Sequence, residues 1–345
     1  MAVTLLTRLA AAAPVPVFVA RGGGAGMVPA ELHADTRLRL VTSARHATVL
    51  LAAGRFPAAL GEALDRLHDQ LAQPRRTVWW TPDASVERPA CLEEGATVVT
   101  GSDPVGAVVA AHRAALTEPA SADPPVLRDE PPNPFEGGGD HGQGGEGMMG
   151  GVPYGRPMAM TADDRDGLAL DQLPVVFGPF LLGLPNGVQV RAVLQGGTLQ
   201  GAQLEQLDLG DGPPLPGSET DRGGPCQNLR WVADALRLAG LDALGRRAAG
   251  LARSALTDRR ACASLARAVR RSGLPATWSG IGVLDGEDAR LRLERRLRFD
   301  EPADGIPLGR VAGSLPGQDW SDALVTVWSA SAPDAVASAA QGRSG

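Results

Sequence analysis

Between residues 15 and 117 short apolar runs take turns with amphipathic stretches, and this alternation constrains the fold more than any other feature of the chain. "VPVFVA" reads as a strand from Val15 to Val19, and Thr48 to Ala52 inside "RHATVLLAAG" as the next. "RRTVWWT" reads as a third strand and "GATVVTG" as a fourth. In "FPAALGEALDRLHDQLAQP" the residues Leu60, Leu64, Leu67 and Leu71 recur at helical spacing, which places them on one face. In "DPVGAVVAAHRAALTE", Asp103 and Pro104 form a cap and first-turn pair that opens another helix. Strands separated by helices require a parallel sheet covered on both faces.

The composition permits such a core. The 345 residues suffice for two domains, 43% are hydrophobic and only 4% aromatic, so the core is built from Ala, Leu and Val. No Lys occurs, so every basic side chain is Arg. A net charge of -6 provides no long-range attraction to nucleic acid or anionic lipid. The three cysteines, Cys91, Cys226 and Cys262, form no Cys-x-x-Cys pair and are too few for a four-thiolate cluster. They fit thiols in a reducing cytoplasm. No apolar run reaches the ~18 residues of a membrane span. The opening "MAVTLLTRL" lacks the basic start of a secretory signal and reads as a short helix.

From residue 119 to 160 Pro and Gly dominate, and such a stretch buries too little apolar surface to offset its ordering entropy. The expected organisation is therefore a domain over 1–118, a Pro/Gly/Met-rich linker or arm over 119–160, and a second unit over 161–345. In that unit "LPVVFGPF" is strand-like. "GVQVRAVLQGGTLQGAQLEQL" alternates Val188, Val190, Ala192 and Leu194 with polar residues before Gly196-Gly197, the signal of a hairpin. The pattern turns helical from Asn228 to about Arg271, with Gly240 as a stop, and "ARLRLERRLR" is a further helix. "ALVTVWSASAPDAVASAAQGRSG" is expected to form a last strand with a frayed tail. The predicted class is α/β: a flavodoxin-like parallel sheet domain followed by a smaller α+β domain with a β-hairpin and helices.

Candidate sites are few. "ARGGGAGMVPAEL" is a glycine-rich loop after a strand, the kind of backbone that approaches a phosphate, but it lacks the Gly-Lys-Ser/Thr ending and a third glycine in register. A tight turn is the reading adopted, with a nucleotide-binding enzyme acting through residues 21–28 as an alternative. "DHGQGGEGMMGG" holds His141, Glu146, Met148 and Met149, with Met158 and Met160 nearby. One imidazole and flexible thioethers make a poor copper site, and methionines that pack on a partner fit better. Asp163, Asp164, Asp166 and Asp171 lack calcium-loop spacing and read as a solvated turn. No Gly-x-Ser-x-Gly elbow occurs, and His68 and His112, on predicted helices, are expected at the surface. The run "RRACASLARAVRRSG" has no neighbouring aromatic platform and reads as a solvated helix face, not a nucleic-acid site.

Two stretches carry a resemblance. "RHATVLLAAGRFPAALGEALDRLHDQLAQPRRTVWW" followed by "GATVVTGSDPVGAVVAAHRAAL" resembles the small cluster-bearing subunit of NADH–quinone oxidoreductase (complex I) and of nickel–iron hydrogenases, over about residues 15 to 116. "DRDGLALDQLPVVFGPFLLGLPNGVQVRAVLQGGTLQGAQL" is similar to the N-terminal sheet of the large subunit of the same assemblies, fading after about residue 210. Carried over position by position, the resemblance puts Gly24 and Met27 where that family's first cluster cysteines stand, residues 83 to 85 beginning at Asp83 where the next stands, and Ser102 where the Gly-Cys-Pro-Pro cysteine stands. A hydroxyl or methyl thioether does not replace a thiolate on iron. The two Cys-x-x-Cys nickel motifs have no counterpart either.

The resemblance thus implies a non-catalytic scaffold or regulatory subunit with no iron–sulfur cluster or other cofactor. Its expected partners are the proton-translocating or antiporter-like membrane subunits of a complex I-like assembly, met from the cytoplasmic face without a span of its own. A quinone-interacting oxidoreductase subunit is the alternative, with His33 or Tyr154 as hydrogen-bond donors and Met148 and Met149 among the contacts.

Overall fold

The computed structural model describes residues 2–26, 30–82, 92, 95–118, 122–127, 160–163, 167–210, 215, 224–254, 258–299 and 305–331. Its first half runs α1 (Ala2–Ala12), β1 (Val15–Arg21), α2 (Ala30–Ala34), β2 (Leu38–Leu40), β3 (Val49–Ala53), α3 (Gly61–Gln70), β4 (Arg76–Thr81), β5 (Thr97–Thr100) and α4 (Pro104–Thr117). The five strands make one parallel sheet in the order β2-β1-β3-β4-β5.

The period of two along each strand divides the sheet's side chains between two cores. Val17, Leu51, Val78 and Trp80 pack with Val105, Val108 and Ala111 of α4. Phe18, Leu50, Ala52 and Trp79 pack with Leu64 of α3 and with Leu71 just beyond it. Every residue of β3 is buried, as a central parallel strand requires. The Asp103 side chain accepts from Val105 N and Gly106 N and caps α4 as the sequence implied. The short strand β2 was not among the expected elements, because a three-residue edge strand leaves almost no periodic signal.

His68 and His112 correct an expectation. Both are buried, not at the surface. His68 Nδ1 lies 2.7 Å from Thr77 Oγ1 and its Nε2 3.0 Å from the Pro124 carbonyl oxygen. His112 Nδ1 lies 2.8 Å from Thr48 Oγ1. Each ring occupies the sheet-facing side of its helix and finds a hydroxyl there, which makes burial tolerable.

The start of the expected linker is also part of this half. The Asp123 carboxylate is buried and accepts from Thr77 N at 2.6 Å and from Arg76 Nη1 at 3.2 Å. Asp69, at the end of α3, accepts from Val126 N at 3.0 Å and Leu127 N at 2.8 Å. Residues 122–127 are thereby strapped to the edge of the sheet where β4 begins. Pro and Ala composition hid this, since two carboxylates and backbone amides, not apolar area, hold the strap.

The second half opens with an antiparallel sheet of β6 (Met160–Asp163), β7 (Ala169–Phe177), β8 (Val188–Gln195) and β9 (Thr198–Gln206), in sequence order. The hairpin predicted at Gly196-Gly197 joins β8 to β9. Helices α5 (Gly224–Leu238), α6 (Asp242–Arg253), α7 (Arg259–Arg271), α8 (Leu274–Thr277), α9 (Ala289–Arg296), α10 (Leu308–Gly313) and α11 (Trp320–Ala330) follow. Gly240, at φ 73°, ends α5 in a Schellman arrangement: Leu241 N bonds Leu236 O and Gly240 N bonds Arg237 O. With these elements the second unit is no smaller than the first.

Residues 320–330 are a helix, which corrects the expected last strand. Their β-branched run, Val325 to Val327, suggested a strand, but Ala323, Val327 and Ala330 recur at helical spacing and face the sheet, while Trp328 enters the helical core. Position in the tertiary structure outweighed the weak β-propensity. α11 thus ties the sheet to the helices: Trp320 stacks on Phe177 at 3.7 Å between centroids, and Trp328 on Trp231 at 5.2 Å. Among the described residues no helix is long and apolar enough to cross a membrane.

Candidate functional site

In an open parallel sheet, ligands bind outside the carboxyl ends of the strands, where the strand order reverses. Here that place lies between β1, which is flanked by β2, and β3 on its other side. The loops leaving these strands do not part. Gly22 N donates to Ala53 O at 2.8 Å, Gly23 N to Arg55 O at 2.8 Å, and Arg55 N to Gly23 O at 2.9 Å. A Cβ on Gly22 would sit 2.1 Å from Arg55 O, and one on Gly54 2.3 Å from Gly23 O, so only glycine allows the two backbones to close.

The second half of the chain then covers the closed loops. Asn186 Nδ2 donates to Gly22 O at 3.1 Å, and Leu215 N donates to Gly24 O at 2.9 Å. A Cβ on Gly23 would meet Gly210 O at 2.4 Å and Leu209 O at 2.5 Å. The glycine-rich stretch is therefore a contact between the two halves. Its amides at Gly22, Gly23 and Ala25 are bonded to carbonyls of the chain itself.

Beside this contact lies a buried ionic group. Arg21 ends β1, His33 stands on α2, and Asp234 and Arg237 lie on α5. His33 Nε2 is 3.0 Å from Asp234 Oδ1, and Arg237 Nη1 is 3.4 Å from the same oxygen. Arg21 reaches the Leu184 carbonyl with Nη2 at 3.3 Å. Burial pushes the Asp234 carboxyl up, but the His33 contact, and then Arg237 and Arg21, outweigh it and hold the group at about 2. Burial pushes the His33 imidazole down, and the two guanidinium groups add to this against the pull of Asp234. Among the described residues His33 Nδ1, which is buried, has no hydrogen-bond partner.

Two small cavities flank the group. One, of about 40 Å³, is lined by Arg21, Phe180, Asp234 and Arg237 among others. The other, of about 20 Å³, is lined by His33, Arg39, Arg237 and Arg246 among others. Each has room for a water or two, far below the ~300 Å³ at which small-molecule sites begin.

The positions singled out in the sequence fare differently. Gly24 joins the closed crevice, and His33 the ionic group. Ser102 is exposed in the turn between β5 and α4. Met27, Asp83, Met148, Met149 and Tyr154 lie outside the described residues, as do Cys91, His141, Glu146, Asp164 and Asp166. Asp163 ends β6 opposite Ala169, and Asp171 sits in β7 opposite Thr161. Among the described residues no group of three or more His, Cys, Asp or Glu is placed to hold a metal ion. The sequence reading missed Arg21, Asp234 and Arg237. One signal was present: Asp234 is the lone acid in the apolar helical stretch "NLRWVADAL", and an acid on such a face needs a partner; residues 228 to 236 are all buried. No protein-family model, no curated protein and no solved structure matches the chain.

Proposed function

We propose that the chain is a non-catalytic scaffold or regulatory subunit of a complex I-like or hydrogenase-like membrane assembly, holding no iron–sulfur cluster of its own. One observation carries this reading: the ligand crevice of the parallel sheet is filled by the protein's own backbone and covered by its second half. The strand order β2-β1-β3-β4-β5 is the order of flavodoxin-like folds, which supports the resemblance to the small subunit. A fold with its ligand crevice closed retains surface and shape. The serine at position 102 supports the same reading, since its hydroxyl stands at the strand-to-helix turn where the resembling family keeps a thiolate.

On this account the chain sits at the cytoplasmic face and meets the membrane through antiporter-like subunits. The test is to tag the chain in its native host, solubilise the membranes in mild detergent and identify what elutes with it. Recovery of proton-translocating or antiporter-like subunits in fixed ratio supports the reading, and a chain found only in the soluble fraction, alone, opposes it.

A quinone-interacting subunit is the second reading, favoured by His33 at the junction of the two halves, whose Nδ1 has no hydrogen-bond partner among the described residues. It requires the halves to separate, because the adjoining cavities are too small for a quinone ring. Saturable quenching of tryptophan fluorescence by a quinone analogue is its measurement.

A further inference from the structure

A different part of the molecule holds a cavity large enough for a ligand. It measures about 300 Å³ and is lined by Asp285, Glu287, Arg292, Arg295, Arg296 and Ser329 among others. This volume falls at the lower end of the range for small-molecule sites. Arg292 and Arg296 project into it from α9, and both are almost wholly buried, 6% and 3% exposed.

Arg292 is held by neutral groups. Its Nη1 donates to Glu287 O at 2.6 Å and its Nη2 to Gly282 O at 2.7 Å. Nε and Nη2 both donate to Ser329 Oγ, at 3.1 and 2.9 Å. Among the described residues no carboxylate lies within ion-pair distance of this guanidinium. One N–H on Nη1 is left over by these bonds, since a guanidinium carries five.

Burial works against the charge on Arg292, and the nearby carboxylates of Glu287 and Asp288, neither within ion-pair distance, offset this only in part. These acids are shared with other partners. Glu287 pairs with Arg295, Asp285 pairs with Arg310, and the Asp288 carboxylate caps α9 through Leu291 N at 2.9 Å and Gly280 N at 2.8 Å. Among the described residues the lining carries three guanidinium groups against two carboxylates, and the positive centre is rigid: Ser329, itself bonded to Thr326 O, fixes the Arg292 plane.

We propose that this cavity is an anion site that takes one oxyanion, a carboxylate or a phosphate, on the guanidinium groups of Arg292 and Arg295. Arg292 offers its one remaining Nη1 N–H and Arg295 its half-exposed guanidinium, and either oxyanion suits charge-assisted bonds from the two. The site is independent of the proposed role in a membrane assembly.

The test is thermal unfolding and calorimetric titration of the full chain with inorganic phosphate and, separately, succinate, at constant ionic strength set with chloride. At least one of the two raises Tm and binds with a stoichiometry near one, and which of them does so separates a phosphate ligand from a carboxylate ligand. Arg295→Gln, at a half-exposed position, weakens that binding about tenfold, the effect of one lost charge-assisted hydrogen bond. Arg45→Gln, at an exposed position in the parallel-sheet half, leaves it unchanged. The wild-type titration decides the matter even if a variant folds poorly. If neither anion shifts Tm beyond chloride, or if the Arg295 and Arg45 variants respond alike, the proposal is overturned.

Discussion

His33 Nε2 and Asp234 Oδ1 meet at 3.0 Å, one on a helix of the parallel-sheet half and the other on the first long helix of the second half. Both side chains are buried, and Arg21 and Arg237 stand around the same carboxylate. The two halves are thus joined by a buried charge arrangement centred on one carboxylate.

Asp234→Ala removes the anion and leaves two guanidinium groups and an imidazole buried together. Stability is expected to fall by about 3–5 kcal/mol, the usual result of breaking a buried ion pair from one side. His33→Gln, which takes away a ring held neutral by burial, is expected to cost less. Urea unfolding of the two variants against wild type reads the difference, and equal losses contradict the account.

The same group makes the junction acid-labile. Asp234 has its carboxyl held at about 2, down from 3.8, so it contributes stability above pH 3.8 that disappears as pH falls toward 2. That window is worth roughly 2 kcal/mol, at ~1.4 kcal/mol for each pH unit between the folded and unfolded values. His33 is also pushed down, so its neutral form is stabilising above the unfolded value of about 6.5 and the benefit is lost on acidification below it. Both contributions have the same sign. Unfolding free energy measured from pH 7 to pH 3 should drop steadily, and His33→Gln should flatten the part that begins near pH 6.5.

Gly23→Ala tests the closed crevice directly. A methyl there would stand 2.4 Å from Gly210 O and 2.5 Å from Leu209 O, both backbone atoms of the second half. We expect a loss of about 1–3 kcal/mol, as for overpacking elsewhere. Gly197→Ala in the hairpin turn meets open space and should be nearly neutral. Similar Tm values for the two would show that the halves do not press together at Gly23.

Asp123 is the anchor of residues 122–127. Asp123→Ala leaves Thr77 N without this acceptor and removes one ion pair from Arg76, a loss of about 2–3 kcal/mol. Limited proteolysis should then cut after residue 123 faster than in wild type, while Asp123→Asn, which keeps an acceptor, should behave between the two.

The parallel half was largely legible in the sequence, because buried strands and amphipathic helices leave strong periodic signals. Val49 to Ala53 and the Asp103–Pro104 helix start lie where the pattern put them. The failures have one physical root: they concern residues whose state depends on distant partners. His68 and His112 looked solvated because nothing local shows that Thr77 and Thr48 wait beneath them. The strand expected in the stretch that starts at Ala323 became part of a helix because it packs between a sheet and a helical core, both made by other segments. At the site, the glycines of residues 22–24 signalled close backbone approach, but not that the approaching group would be the protein's own chain rather than a phosphate.

The central claim, that this chain contributes architecture without a cluster, is tested most directly by iron analysis and low-temperature electron paramagnetic resonance on anaerobically purified protein before and after reduction. The account predicts far less than one iron per chain and no signal, both for wild type and for Ser102→Cys, whose exposed thiol should react with a maleimide in the native state. Stoichiometric iron in the wild-type chain, with a signal that appears on reduction, would contradict it.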